Sequence, residues 1–184
     1  MRHSRRSVIS ALGALGALPM LSQASALADE TKSVDSRIDA TLKKLYAQAP
    51  LAKELSASAK GILVFPKITK AGFLFGGAYG EGVLRKGGVD VGRYNSVAAS
   101  WGLQAGVQAF GYALFFMNDD ALAYLDKSDG FELGSGPSFV AVDKGMAKKY
   151  SSSTLTKDIY AFIFSQRGLM GGFGIEGSKI SRLK

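Results

Sequence analysis

The sequence predicts an α+β domain: a glycine-rich, strongly curved antiparallel sheet or half-closed barrel, with amphipathic helices at its N-terminus and one short helix within it. Three observations lead there. Helical spacing of apolar residues is confined to the stretch before Gly61 and to a few residues after Asn118. Most of the remaining chain alternates with a period of two, the repeat of a strand. And 21 of the 23 glycines lie after residue 60, mostly inside those alternating stretches, where a bare backbone permits bending or the close approach of a neighbour.

From Ser33 to Tyr46, Val34, Ile38, Leu42, Leu45 and Tyr46 recur at helical spacing, Ser33 is placed to cap the start, and Asp39 precedes Lys43 by four, the favourable order for an ion pair. A second helix is expected from Pro50, pre-set for a first helical position, to Lys60, with Gly61 as its stop. Leu51, Leu55 and Ala59 would face inward. Strands follow: Ile62 to Phe65, closed by Pro66; Phe73 to Gly80; and Val83 to Lys86, running into a Gly87-Gly88 turn. Asn118 reads as the cap of a short helix near Ala121 to Leu125, with Asp119 and Asp120 in its first turn, where the helix dipole favours them. A strand around Phe139 to Val142, a polar loop or frayed helix from Lys148 to Lys157, and strands at Ile159 to Phe164 and Leu169 to Ile180 complete the sheet.

The run Tyr94 to Asn118 is long and uncharged enough to cross a bilayer as a helix. Its alternation argues for a strand instead. Val97, Ala99, Trp101, Leu103, Ala105, Val107 and Ala109 form one apolar row, and Ser96, Ser100, Gly102, Gln104, Gly106 and Gln108 the opposite one, which reads as a strand with one dry side, bent or broken near Phe110 and Gly111. Beyond that point Tyr112, Leu114 and Phe116 make both faces apolar, as in a strand covered on both sides.

The start of the chain reads as an address. Arg2, Arg5 and Arg6 precede an uncharged stretch from Ser7 to Leu21, and Ala26-Leu27-Ala28 offers a cleavage site, the pattern of a bacterial secretory signal over residues 1–28. Ser4-Arg5-Arg6-Ser7-Val8-Ile9 is similar to a twin-arginine signal. Val8 and Ser10 depart from that pattern, which leaves the general secretory route open. Removing 28 of the 184 residues leaves 156, residues 29–184, enough for a single domain with a substantial core. Whole, the chain has a formal net charge of +8. Without the three leader arginines, 20 Lys and Arg face 15 Asp and Glu, a moderately basic balance compatible with an anionic surface. The absence of cysteine excludes disulfides and an N-terminal lipid tether. The expected product is periplasmic or secreted, soluble or peripheral on a membrane, and not a lipoprotein.

The one histidine, His3, lies in the leader. The remainder thus lacks both imidazole and thiol, which most nucleophile–base pairs and most zinc, copper or haem sites require. A non-enzymatic protein without cofactor or metal is expected. Asp119, Asp120, Asp126 and Asp129 lack the spacing of a calcium loop. Gly172-Phe173-Gly174-Ile175-Glu176-Gly177 spells a dinucleotide fingerprint, but too few residues follow for the helix and strand such a site needs. Basic residues are too thinly spread, and aromatics too often on apolar strand faces, for nucleic-acid binding.

Lys70-Ala71-Gly72, Gly80-Glu81-Gly82, the Trp101 to Gln108 segment and Gly168-Leu169 with Gly172 and Glu176-Gly177-Ser178 resemble, in order, the signatures of the SYLF lipid-binding domain, over roughly residues 50–184. That resemblance implies binding of phosphoinositides or other anionic phospholipids through an N-terminal amphipathic helix and basic residues, with actin binding in some fungal members. The leader and the lack of SH3 or FYVE modules are similar instead to an exported bacterial branch. The leading expectation is a periplasmic domain binding anionic phospholipid head groups at the cell envelope, with Lys43, Lys44, Lys53 and Lys60, and Lys67 and Lys70 on the following loop, as its cationic face. Each would contribute on the order of 1 kcal/mol near an anionic surface. The same lysines also suit a solvated face that keeps the protein soluble. The alternatives are a structural or protein-interaction module of the envelope with no lipid affinity, and a carboxylate enzyme in which Glu81 and Glu176 meet across the sheet.

Overall fold

The computed structural model describes residues 36–72, 75–101, 106–127, 131–132, 139–142, 157–168 and 178–184. The expected leader, the expected Ser33 cap, most of the polar stretch 148–157 and most of the expected strand from Leu169 to Ile180 lie outside them. The fold is α+β. Helix α1 occupies residues 36–48, and α2, Pro50–Ser56, begins with its proline at the first helical position and is shorter than the sequence suggested. The strands are β1 (Gly61–Gly72), β2 (Phe75–Lys86), β3 (Val89–Trp101) and β4 (Gly106–Phe116). After them come α3 (Asp119–Leu125), β5 (Phe131–Glu132), β6 (Phe139–Val142), β7 (Ile159–Gly168) and β8 (Lys179–Arg182).

One sheet contains them all, in the order β5-β8-β3-β2-β1-β4-β7-β6. Its body, β8 to β7, is antiparallel, and only β6 joins in parallel. Among the described residues the sheet is open, its ends β5 and β6 unpaired with each other, which corrects the half-closed barrel. The glycines that suggested closure do other work. A Cβ on Gly82 would lie 2.6 Å from both the Val64 carbonyl oxygen and the Phe65 ring, and one on Gly80 would lie 2.7 Å from the Lys67 carbonyl oxygen. Bare backbone here lets Phe65 lie flat on β2 and stack on Tyr112 with 5.7 Å between ring centroids. Gly87 and Gly88, with φ of 55° and 85°, make the expected tight turn between β2 and β3.

The run from Tyr94 to Asn118 is sheet, and no helix among the described residues is long and apolar enough to cross a membrane. It is, however, two strands. β3 ends at Trp101, β4 starts at Gly106, and the two are separated in the sheet by β2 and β1. The irregularity expected near Phe110 and Gly111 is a register shift between Ala109 and Gly111 against β7. The dry side is also the reverse of the expected one. Ser96 and Gln108 are buried, whereas Val97 and Val107 are exposed. Alternation fixes a period without saying which row faces the core.

Two layers cover the sheet. On one face Leu63, Phe65, Ile68, Leu84, Tyr94, Phe110, Tyr112, Leu114, Phe116, Ile159 and Ile180 form a cluster capped by Ala121, Leu122 and Leu125 of α3. On the other face Val64, Val83, Phe115 and Phe162 are buried, as are Ile38, Leu42, Leu45, Leu51, Ala52 and Leu55 of α1 and α2. Asp39 of α1 pairs with Arg85 of β2 rather than with Lys43, and Gln48 accepts from the Ser165 N–H at 3.2 Å, which seats α1 on this second face. The expectation that β4 would be covered on both sides beyond Phe110 holds: every residue from Phe110 to Phe116 is buried.

Candidate functional site

β1 does not stop at Pro66. Its register against both neighbours shifts there, between Val64 or Phe65 and Lys67 or Ile68, so the proline occupies a bulge, where its missing N–H costs no ladder bond. The bulge also flips the alternation. Leu63, Phe65, Ile68 and Lys70 share the core face, and Lys67, Thr69 and Ala71 face outward. Lys67 and Lys70 therefore lie in a strand and not on a loop, and on opposite faces of it.

The six lysines do not form one face. Lys43, Lys44, Lys53, Lys60 and Lys67 are exposed, but Lys70 retains only 6% of its surface. Lys60 precedes β1 and lies 4.0 Å from Asp119 of α3, about 23 Å of extended strand from Lys67. The sequence signal, a count of lysines along helix faces, was blind to the bulge that turns Lys70 inward.

What the sheet does bring together is a bare surface beyond the reach of α1 and α2. Pairing aligns Arg167, Ala109, Thr69, Tyr79, Val97 and Lys179 in one row across six strands, about 24 Å wide at the usual strand spacing. Tyr79 is 50% exposed and Val97 48%, and in the adjoining row Val107 is 60% exposed. Arg167 and Lys179 are exposed at the two ends and Lys67 in the flanking row. Glu81, the one carboxylate on this patch among the described residues, is engaged: it accepts from Tyr79 Oη at 2.8 Å and lies 3.4 Å from Arg93 Nη2. That bond keeps the Tyr79 phenol protonated, raising its pKa. Glu176, its suggested partner in an enzyme, lies outside the described residues.

α3 is held in place by polar contacts. Asn118 caps it, its Oδ1 accepting from the Ala121 N–H at 2.8 Å with Asp119 and Asp120 in the first turn, as the sequence suggested. At its other end Tyr94 Oη donates to Asp126 Oδ1 at 2.6 Å, with Arg182 Nη1 3.5 Å from the same oxygen. Burial, and then the Asp126 carboxylate, raise the Tyr94 pKa far above its ordinary value. A groove of about 540 Å³ beside this helix is lined by Asn118, Asp120, Tyr124, Lys127 and Asp158. Most of its polar groups engage one another: Asn118 donates to Asp158 at 2.6 Å, and Lys127 sits 3.9 Å over the Tyr124 ring.

These elements define a class of protein: an α+β domain with a single open sheet, helices on both faces, and one half of one face left bare between cations. Residues 97–184 match the family model described as "Ysc84: Las17-binding protein actin regulator", the SYLF family whose signatures the sequence resembles. Two of the four signatures, the Trp101 segment and the Gly168 group, fall in the matched stretch. Lys70-Ala71-Gly72 and Gly80-Glu81-Gly82 precede it, yet β1 and β2 fill the middle of the sheet between β3 and β4, so the matched stretch alone leaves the sheet without its centre. No curated protein matches the chain.

Proposed function

We propose that this SYLF-type domain is a non-enzymatic, peripheral binder of anionic phospholipid head groups at a bacterial cell envelope, acting in the periplasm after export. The observation that carries the reading is the bare half-sheet, with Tyr79, Val97 and Val107 exposed and Lys67, Arg167 and Lys179 around them. Single exposed apolar residues are ordinary on protein surfaces. Three on one face, framed by cations whose long stems also cover apolar surface, suit the boundary between head groups and acyl chains. Lys43, Lys44 and Lys53 on the helices would add attraction at longer range, which salt screens. The family description speaks of Las17 and actin, partners that an exported chain would not meet.

Co-sedimentation with vesicles tests this reading. Binding to phosphatidylglycerol or cardiolipin, weak on phosphatidylcholine and weakened by salt, is expected to fall at least tenfold when Lys67, Arg167 and Lys179 are all changed to Glu. Retained binding in that variant removes the assignment of the surface. A folded protein that captures one envelope protein and no vesicle favours the protein-interaction module instead.

A further inference from the structure

Lys70 and Gln108 stand directly opposite each other on β1 and β4, on the core face, with 6% and 8% of their surface exposed. Neither satisfies the other. The amide oxygen of Gln108 is buried without a hydrogen-bond partner, and among the described residues Lys70 has no ion pair and no hydrogen bond. The ammonium of Lys70, at the end of an enclosed stem and without a counter-charge, is open to an anion, and a buried carbonyl without a donor is unfavourable. Two such groups side by side are complementary to one guest: a negative oxygen for the ammonium, and a hydroxyl close to it for the amide oxygen. The described residues next to them are small. Lys70 pairs on its other side with Ala78, which pairs with Ala98. One step further along the strands Gly72 stands opposite both Gly76 and Gly106, all partly exposed, so on β2, β1 and β4 that row puts no side chain between Lys70 and solvent.

We propose that Lys70 and Gln108 form an inner-face subsite for a small anion bearing an adjacent hydroxyl, the chemistry of a glycerol phosphate, either free or as the head group of a phospholipid. Lys70 neutralises the phosphoryl oxygen and Gln108 Oε1 accepts from the hydroxyl. The subsite stands apart from the bare outer face and does not depend on it.

Calorimetric titration of the full chain with sn-glycerol 3-phosphate, inorganic phosphate and glycerol tests the subsite, with side-chain amide NMR signals as a readout that needs no variant. Glycerol phosphate is expected to bind at least tenfold more tightly than phosphate, and glycerol not to bind. Saturation should shift the Gln108 amide signals. Lys70→Met keeps the stem and removes the charge, a replacement that folded proteins tolerate well at buried ionic positions. It should weaken binding at least tenfold, and Gln108→Leu should erase the preference over phosphate. Changing Arg167 and Lys179 to Glu should leave the affinity unchanged, which separates this site from the vesicle-binding face. Dihexanoyl phosphatidylglycerol below its micelle concentration distinguishes the sources: tighter binding than the free ester assigns a lipid head group, and weaker binding a soluble ester. No binding of glycerol phosphate, equal binding of phosphate, unmoved Gln108 signals, or undiminished binding by Lys70→Met would each overturn the proposal.

Discussion

The two ends of β4 belong to different environments. From Phe110 to Phe116 both rows of side chains are buried, one against α3 and one on the side of α1 and α2, while from Gly106 to Ala109 the outer row is open and the inner row includes a buried glutamine. The first end is where apolar burial stabilises the domain. At the second, two features that a stability-driven fold would not select, exposed apolar side chains and buried unpaired polar groups, occur within a few residues of each other. Such local departures from consistency are where function is to be sought.

Truncation separates the ends most sharply. Phe115 is fully buried and packs edge-on against Phe162 at 5.1 Å, so Phe115→Ala should cost about 3–5 kcal/mol. Val107→Ala, on the open face, should stay within about 0.5 kcal/mol. Urea midpoints of the two variants measure the contrast, and similar losses would mean that the open face is buried in solution.

Gly168 shows that the open end is not uniformly tolerant. Its φ is +104°, and a Cβ there would lie 2.2 Å from the Val107 carbonyl oxygen, a backbone atom held in the β4 pairing that cannot rotate aside. Gly168→Ala should therefore destabilise by about 2–3 kcal/mol despite the exposure of the position, read as a lowered urea midpoint.

Legibility in the sequence divides along the same line. The buried end was legible because each of its cues is local: the apolar pair of rows after Phe110, the glycine pair at 87 and 88, the asparagine cap at 118, the proline that opens α2. The open end was not. Period-two alternation from Tyr94 to Gln108 is compatible with either row facing inward, and the choice is made by what packs above, not by the strand itself. Pro66 read as a strand end because a bulge is set by the register of β2 and β4, which no window of sequence contains. Lys70 was misplaced for that reason, and with it the idea of six lysines on one surface. The break between β3 and β4 separates the two strands by two positions in the sheet, a long-range outcome.

Two tyrosines on the core face offer a finer comparison, since one hydroxyl is partnered and the other is not. Tyr94→Phe removes the 2.6 Å bond to Asp126 and should cost about 1.5 kcal/mol, the range for a hydrogen bond to a charged group. The loss should be pH-dependent. Burial first and the Asp126 carboxylate second raise the Tyr94 pKa in the folded state, and burial alone raises that of Tyr112, whereas the unfolded phenols titrate near 10. Unfolded chains thus release protons that the folded protein retains, so the stability from these groups is complete below about pH 10 and is lost as the pH climbs from there towards their folded-state values. Urea titrations from about pH 8 to 11 should show that decline, flattened in Tyr94→Phe.

The smallest effect is expected at Tyr112. Its hydroxyl is buried and has no hydrogen-bond partner, while its ring stacks on Phe65. Tyr112→Phe keeps the ring and removes a polar group that the folded state desolvates without compensation, so stability should be unchanged or rise by up to about 1 kcal/mol. A loss comparable to that of Tyr94→Phe would show that the hydroxyl has a partner in solution, a bridging water being the simplest. The result also bears on Gln108, four residues away on the same inner row: if Tyr112 is hydrated from within, water reaches that face. A dry Tyr112 beside a Gln108 whose amide responds to glycerol phosphate would instead confine the polar opening to the Lys70 end of the sheet.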